Sequence, residues 1–209
     1  MDLSIGGRVG WPHPREIVEI NQSTTQPVQH SPMRQNIVLI GFMGSGKSSI
    51  GRLLAKRFRF RFVDTDRLIV DRARLEISDI FARHGETYFR DLETGAIESL
   101  TRLNRSVLAT GGGAVLRERN VALLREIGFV VGLTASEEVI FERVSRNSKR
   151  PLLQTENPRE TLRKLLAERR GIYEAAAHLT VDTSQLSHEQ VAELIDGEAR
   201  RAFSWESAT

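Results

Sequence analysis

Residues 36–200 predict an α/β domain in which a parallel sheet carries helices on both faces. Three observations lead there. Short apolar runs bounded by turn residues alternate with segments of helical period along this whole stretch. The first run, "NIVLI", passes through a glycine-rich turn straight into a helical pattern, the strand–loop–helix order of a βα unit. The chain, at 209 residues and 40% hydrophobic, also has the material for one sizeable core, so one domain is expected.

The elements follow in order. Residues 36–40 are apolar and β-branched, as a buried strand requires, and Gly41 closes them. Leu53, Leu54 and Phe58 then recur at helical spacing, so a helix runs to about Phe58. Residues 60–64 alternate as a short strand, and 65–72 and 77–83 read as helices. A longer helix is expected over 86–103, with Phe89, Leu92, Ala96, Ile97 and Leu100 on one face. Residues 106–109 form the next strand, ended by Gly111-Gly112-Gly113. A helix over 118–127 and an apolar strand over 129–133 follow. Ser136 is placed to cap a helix reaching about Ser145. The stretch "NSKRPLLQTENPRE" breaks the period and holds two prolines, so it reads as a long loop. Residues 159–177 are helical and 179–182 a last short strand. Ser187 with Gln190 is a capping-box pattern that opens the final helix. Helices between successive strands imply parallel pairing with right-handed crossovers, and ligands then bind beyond the carboxyl ends of the strands.

Outside this domain, residues 1–35 are rich in Pro, Gln, Ser and Thr and lack a sustained period, the mark of a disordered or loosely packed extension. They contain no apolar core of a secretory signal, and Asp2, Glu16 and Glu19 do not suit a transit peptide. Met33, just ahead of the first strand, is a candidate natural start; mass spectrometry of the native N-terminus tests that. Residues 201–209 form a tail. The net charge is only +3 and the basic residues are spread out, which speaks against a nucleic-acid binder; arginines that clamp phosphates and carboxylates fit better. There is no cysteine, hence no disulfide, thiolate zinc site or thiol nucleophile, a composition that fits the cytoplasm. No apolar run approaches the roughly 18 residues a membrane helix needs.

Five stretches carry chemistry. Gly41 to Ser48 reads G-x-x-x-x-G-K-S, between a strand and a helix. Its glycines let backbone N–H groups approach phosphate oxygens, and the helix terminus adds positive potential. Gly44, Ser45, Gly46, Lys47, Ser48 and Ser49 are therefore candidates for holding a nucleoside triphosphate. Lys47 reaches the β- and γ-phosphates, and the Ser48 hydroxyl suits Mg²⁺. The second stretch is "FVDTDR", residues 62–67. At a strand end, about twenty residues after such a lysine, Asp64 suits a water-mediated contact to Mg²⁺ and Asp66 the nucleophilic hydroxyl; capping the next helix is the bland alternative. Third, Arg90, Arg169 and Arg170, each within a helix, read alone as solvated residues. Fourth, the glycines of "ATGGGAV" expose backbone N–H groups toward a ligand. Fifth, the basic loop "RNSKRPLL" is a candidate lid that brings an arginine onto a transferring phosphoryl group.

Together, Gly41 to Ser48, Asp64-Thr65-Asp66, Phe89-Arg90, Gly111 to Gly113, Arg150-Pro151-Leu152-Leu153, and Arg169 with Tyr173 resemble shikimate kinases in order and spacing, over residues 36–196. The resemblance implies a P-loop fold like that of nucleoside-monophosphate kinases, a five-stranded parallel sheet ordered 2-3-1-4-5. It implies transfer of phosphoryl from ATP to the 3-hydroxyl of shikimate, on the way to chorismate and the aromatic amino acids. It assigns the substrate carboxylate to Arg90 and Arg169, the hydroxyls to Asp66 and the Gly112 N–H, and the transferring phosphoryl to Lys47 and Arg150. Ser48 and Asp64 are assigned to Mg²⁺ and Arg143 to the adenine ring. Shikimate and ATP are the implied partners of a monomer that takes neither nucleic acid nor membrane, with a lid at about 147–160. Two features depart from the family pattern. "RRGIY" has Gly171 where proline is usual, which is expected to loosen the helix and leaves open whether Arg169 or Arg170 faces the substrate. "DTSQLSH" lacks the usual Arg and Pro, leaving Thr183 and Ser184 as adenine contacts. Two rivals remain: a sensor of aromatic acyl-CoA, disfavoured because Asp66 and Arg90 are both present, and a kinase for another small acceptor such as gluconate.

Overall fold

A computed structural model describes residues 34–145 and 156–203. The extension up to residue 33, most of the expected lid including Arg150, and the last six residues lie outside the described residues.

Five strands, β1 (Asn36–Gly41), β2 (Arg61–Asp64), β3 (Ser106–Ala109), β4 (Phe129–Thr134) and β5 (Leu179–Asp182), form one sheet ordered β2-β3-β1-β4-β5. Every pairing is parallel. The first strand is the central one, and all six of its residues are buried. Side chains alternate across a strand, and the core divides accordingly. Ile37 and Leu39 join Ile50, Leu54 and Phe58 of α1 (Lys47–Phe58) and Val191 and Ile195 of α7 (His188–Ala202) on one face. Val38 and Ile40 pack on the other face with Ile97 of α3 (Ile77–Glu98), Leu124 of α4 (Glu118–Ile127), Ile140 of α5 (Glu137–Ser145) and Leu162 of α6 (Pro158–Ala176). A smaller cluster joins Ile69 of α2 (Thr65–Ala73) to Ile80 and Phe89 of α3. Both faces of the sheet are thus covered, as expected.

At the strand-start end, the fully buried Asn36 side chain donates to the carbonyls of Leu103 and Ile127 and accepts from Ser106 N–H, at 2.8–2.9 Å. Three loops are fixed there by one satisfied amide. The capping box at Ser187 and Gln190 is formed as read. Asn157 caps α6, and Pro158 occupies its first position, where a missing N–H costs nothing.

Within α3, Gly85 takes φ 79 and ψ 175, non-helical backbone that separates the two helices expected over 77–83 and 86–103. Two local expectations need correction. The second of these helices stops at Glu98, because the Ser99 and Thr101 hydroxyls bond the Ala96 and Glu98 carbonyls and the chain closes into tight turns. Gly171 does not loosen α6, which runs unbroken past it. A 3₁₀ turn over Ala114–Leu116 follows the glycine triplet and had no sequence signal beyond it.

Candidate functional site

The parallel sheet brings the carboxyl ends of all five strands to one edge, and the chemistry-bearing loops leave from there. After β1 the chain turns through Gly44 and Gly46 at φ 80 and 96, a left-handed region that favours glycine. Helix α1 begins at Lys47 with no side-chain cap and no acidic residue in its first turn. Its first N–H groups and positive dipole end are left to an anion. The buried Lys47 arches over this loop, its Nζ donating to the Gly41 and Phe42 carbonyls at 2.8 Å each. Ser45 is fully buried within the loop and Ser49 is exposed on the first turn of the helix.

Asp64 caps the next helix, the alternative weighed for it, and also reaches the phosphate loop. Its Oδ1 accepts from the backbone N–H of Asp66 and Arg67 and caps α2, while its Oδ2 accepts from the Ser48 hydroxyl at 2.8 Å. A hydroxyl and a carboxylate oxygen therefore meet beside the phosphate loop. Both are hard oxygen donors of the kind Mg²⁺ takes, one or two from protein and the rest from phosphate and water. No cluster of three or more metal-ligating side chains occurs among the described residues, so a metal here takes the rest of its shell from elsewhere.

The second half of the site forms around the glycine triplet. A Cβ on Gly111 would lie 2.5 Å from Glu93 Oε1 and 2.6 Å from Asp66 Oδ1, so both carboxylates close on this one backbone position. Gly111 N–H donates to the buried Thr65 hydroxyl at 3.0 Å. Gly112 lies against the phosphate loop, with Met43 N 3.4 Å from where its Cβ would be. A side chain on Gly113 would overlap the Arg90 guanidinium. Close approach thus favours glycine at 111 and 113, while a Cβ at 112 would make an ordinary contact.

Arg90 is 8% exposed, not a solvated face residue. Its Nη1 donates to Glu93 Oε2 at 2.9 Å and its Nη2 to Glu86 Oε1 at 2.9 Å. Burial opposes its charge, but Glu93 and Glu86 outweigh that and its pKa stays raised. Burial pushes the Glu93 carboxyl up from its ordinary range, with Arg90 opposing and the nearby Asp66 charge adding to the rise. Glu93 has no exposed surface and was missed in the sequence; the signal was an acidic residue three positions after Arg90 on the apolar face.

The paired arginines differ in exposure. Arg169 is buried and its guanidinium lies 5.8 Å from the centroid of the Phe42 ring on the phosphate loop. Arg170 points to solvent, paired with Glu174. One turn further along α6, the buried Tyr173 donates its hydroxyl to the Gly112 carbonyl.

On the other side of the phosphate loop, Arg143 donates to the Gly44 carbonyl and to the Thr183 hydroxyl and carbonyl. Thr183 is 1% exposed, and its hydroxyl also faces the Ser45 and Thr134 carbonyls. Its side chain anchors Arg143 and the loop, which leaves it no freedom to contact a base. Ser184 is bound to Asp182 and to Ser136 N–H.

The described site residues therefore converge in two adjoining groups that touch at Gly112 and Met43. One suits a polyphosphate, and the other offers two buried guanidinium groups beside a carboxylate. Two surface hollows, at Leu53, Lys56, Arg57, Glu189 and Ala192 and at Glu138, Phe141, Glu142, Ser145 and Arg159, lie away from the carboxylate and arginine cluster. The assignment rests on convergent polar groups, not on cavity size.

The model of the shikimate kinase family matches residues 43–197. A shikimate kinase from Thermodesulfovibrio yellowstonii is 49% identical over 167 residues, spanning 80% of this chain and 96% of the relative. One from Geobacter sulfurreducens is 52% identical over 157 residues, spanning 75% and 86%. Among solved structures, a shikimate kinase from Acinetobacter baumannii in complex with shikimate superposes with a TM-score of 0.77 at 38% identity, covering 84% of this chain and 96% of that one.

Proposed function

The chain belongs to the shikimate kinase family, and from that premise we propose that its site moves the terminal phosphoryl group of ATP to the 3-hydroxyl of shikimate. The products are ADP and shikimate 3-phosphate, which feeds chorismate and aromatic amino-acid synthesis. The observation that carries this reading is the pair Arg90 and Arg169, both 8% exposed and on different helices, the first against the glycine turn that Asp66 also approaches and the second against Phe42 of the phosphate loop. Two buried guanidinium forks suit the carboxylate of a small acceptor. A carboxylate two residues from a helix cap and one glycine away suits its hydroxyls.

In this reading the backbone N–H groups from Gly44 to Ser49 and Lys47 hold the phosphates of ATP. Arg143, pinned edge-on to Gly44 and Thr183, offers its flat face to the adenine. Ser48 and Asp64 hold Mg²⁺, which neutralises charge on the phosphates when bound. Asp66 accepts the hydroxyl proton as the acceptor oxygen attacks, and the Gly112 N–H completes the acceptor's hydrogen bonds. Lys47 balances the charge that builds on the phosphoryl group; Arg150, outside the described residues, is assigned to the same task. Burial of the acceptor end strengthens each of these interactions, since water no longer screens them. No described helix is long and apolar enough to cross a membrane. A cytoplasmic monomer is the proposed working form.

The test is ADP release by the purified protein with Mg²⁺-ATP, with and without shikimate, beside gluconate and quinate. Stimulation by shikimate alone is expected. Equal stimulation by gluconate, or none by any acceptor while ATP still binds, overturns the assignment.

A further inference from the structure

Tyr173 is among the buried polar groups near the site that have no part in the chemistry above. Tyr173 is 4% exposed on α6, yet its ring ends in a hydroxyl that donates to the Gly112 carbonyl, 61 residues away in the chain. Burial pushes its pKa up to about 12, with the Arg169 guanidinium working against the rise. The phenol thus remains a donor at every working pH.

The glycine turn needs such a donor. Three glycines in a row carry no side chain to hold them, and each costs more backbone entropy to order than any other residue. The turn's other anchors lie elsewhere. Gly111 is held through Thr65, the Gly111 carbonyl by Ala114 N–H, and the Gly113 carbonyl by Leu116 N–H. The peptide between Gly112 and Gly113 is held at its carbonyl by Tyr173. In a trans peptide the carbonyl and the following N–H point in opposite directions, so fixing one fixes the other. The Gly112 N–H belongs to the preceding peptide, whose Gly111 carbonyl is held by Ala114 N–H, so both peptides flanking Gly112 are fixed only when Tyr173 holds the second. Tyr173 also sits one helical turn after Arg169, so one helix presents the arginine and sets the turn together.

We propose that Tyr173 is a positioning residue: its hydroxyl latches the glycine turn to α6, so that the Gly112 amide and the Arg169 guanidinium meet the acceptor in one fixed relation. This rests on the shikimate reading of the site. The latch acts on the acceptor half; the phosphate loop touches Gly112 at Met43 but is held by its own Lys47 and Arg143 contacts.

Tyr173→Phe keeps the ring and removes only the hydroxyl. It leaves the partly buried Gly112 carbonyl without that donor, so the expected loss in kcat/KM for shikimate is about tenfold. KM for ATP and ATPase turnover without acceptor are expected to stay at the wild-type level. In ¹⁵N-glycine spectra, the Gly112 and Gly113 amides move and broaden. A merely structural tyrosine would lower stability and both substrates' parameters together. A ring-fluorinated tyrosine at 173 preserves size and loses its proton at lower pH. It is expected to show shikimate KM rising with pH while wild type does not. Shikimate and ATP constants both within about twofold of wild type in Tyr173→Phe overturn the latch. Wild-type protein run alongside separates the premises: if shikimate does not stimulate it, the function itself fails.

Discussion

Removing Arg90 is expected to unsettle the fold as well as the site, and the two effects can be separated. Glu93 has no exposed surface, and its Oε2 takes a 2.9 Å ion pair from Arg90 Nη1. Its Oε1 already lacks a hydrogen-bond partner. Arg90→Ala therefore leaves a buried carboxylate stripped of its cation, which costs about 3–5 kcal/mol. The second partner, Glu86, is 59% exposed, so losing that pair adds only about 0–1 kcal/mol. For a domain of this size each kcal/mol moves Tm by about 2–4 °C, so a fall of roughly 6–20 °C is expected. The sign with pH follows. Glu93 already has its folded pKa raised above the unfolded value, and loss of Arg90 raises it further. Both states are protonated at low pH, and the penalty grows as pH rises through the unfolded carboxyl range toward the folded one. The variant thus loses more stability at pH 8 than at pH 5. Adding Glu93→Gln keeps the shape without the charge and restores most of the stability. It does not restore shikimate KM, because the guanidinium fork is still absent. The readouts are thermal melts at both pH values and steady-state kinetics. A single variant costing under about 1 kcal/mol, or a double variant no more stable than the single, refutes the buried-pair argument. A double variant with wild-type shikimate KM refutes the carboxylate clamp.

Asp66→Asn is expected to abolish turnover while sparing ATP binding, measured by calorimetry beside ADP release; retained kcat removes its role as base. Gly111→Ala places a methyl 2.5–2.6 Å from two carboxylate oxygens and is expected to cost about 1–3 kcal/mol with a large fall in kcat. The same change at Gly171 or Gly197, in helix interiors with nothing within 4 Å, is expected to stabilise by about 0.5–1 kcal/mol in urea melts. Nδ1 of His178 accepts from Val130 N–H, and its pKa is lowered by desolvation and by Arg125. Its contribution is therefore full above the unfolded value near 6.5 and is lost as pH falls through that value and the folded one. His178→Gln is expected to flatten the stability profile between pH 7 and pH 5.

The sheet was legible because each strand's cause is local. Residues 37–40, "IVLI", have no polar side chain to present to water, so they belong in the middle, and theirs is the central strand. The phosphate loop was legible because a backbone that must approach an anion has no substitute for glycine at φ 80 and 96. The helix end at Glu98 was not, because hydroxyls at Ser99 and Thr101 compete for carbonyls without disturbing the apolar period. Arg90, Arg169 and Arg170 were also opaque by themselves. Each follows helical spacing equally well on a wet or a dry face, and only the known order of motifs singled out the first two.

Residue order alone was enough for the alternation of strands and helices, the phosphate-binding turn, the paired aspartates at a strand end and the family. All of these depend on residue type at short spacing. Tertiary structure alone decided that Arg169 is buried and Arg170 wet, that Glu93 and not solvent neutralises Arg90, that Thr183 braces Arg143, and that Tyr173 reaches Gly112. Most of these join residues far apart in the chain or distinguish opposite sides of one helix, and Arg90 and Glu93, three residues apart, become a buried pair only on packing. Burial sets their strength, and burial exists only once the helices have packed on the sheet.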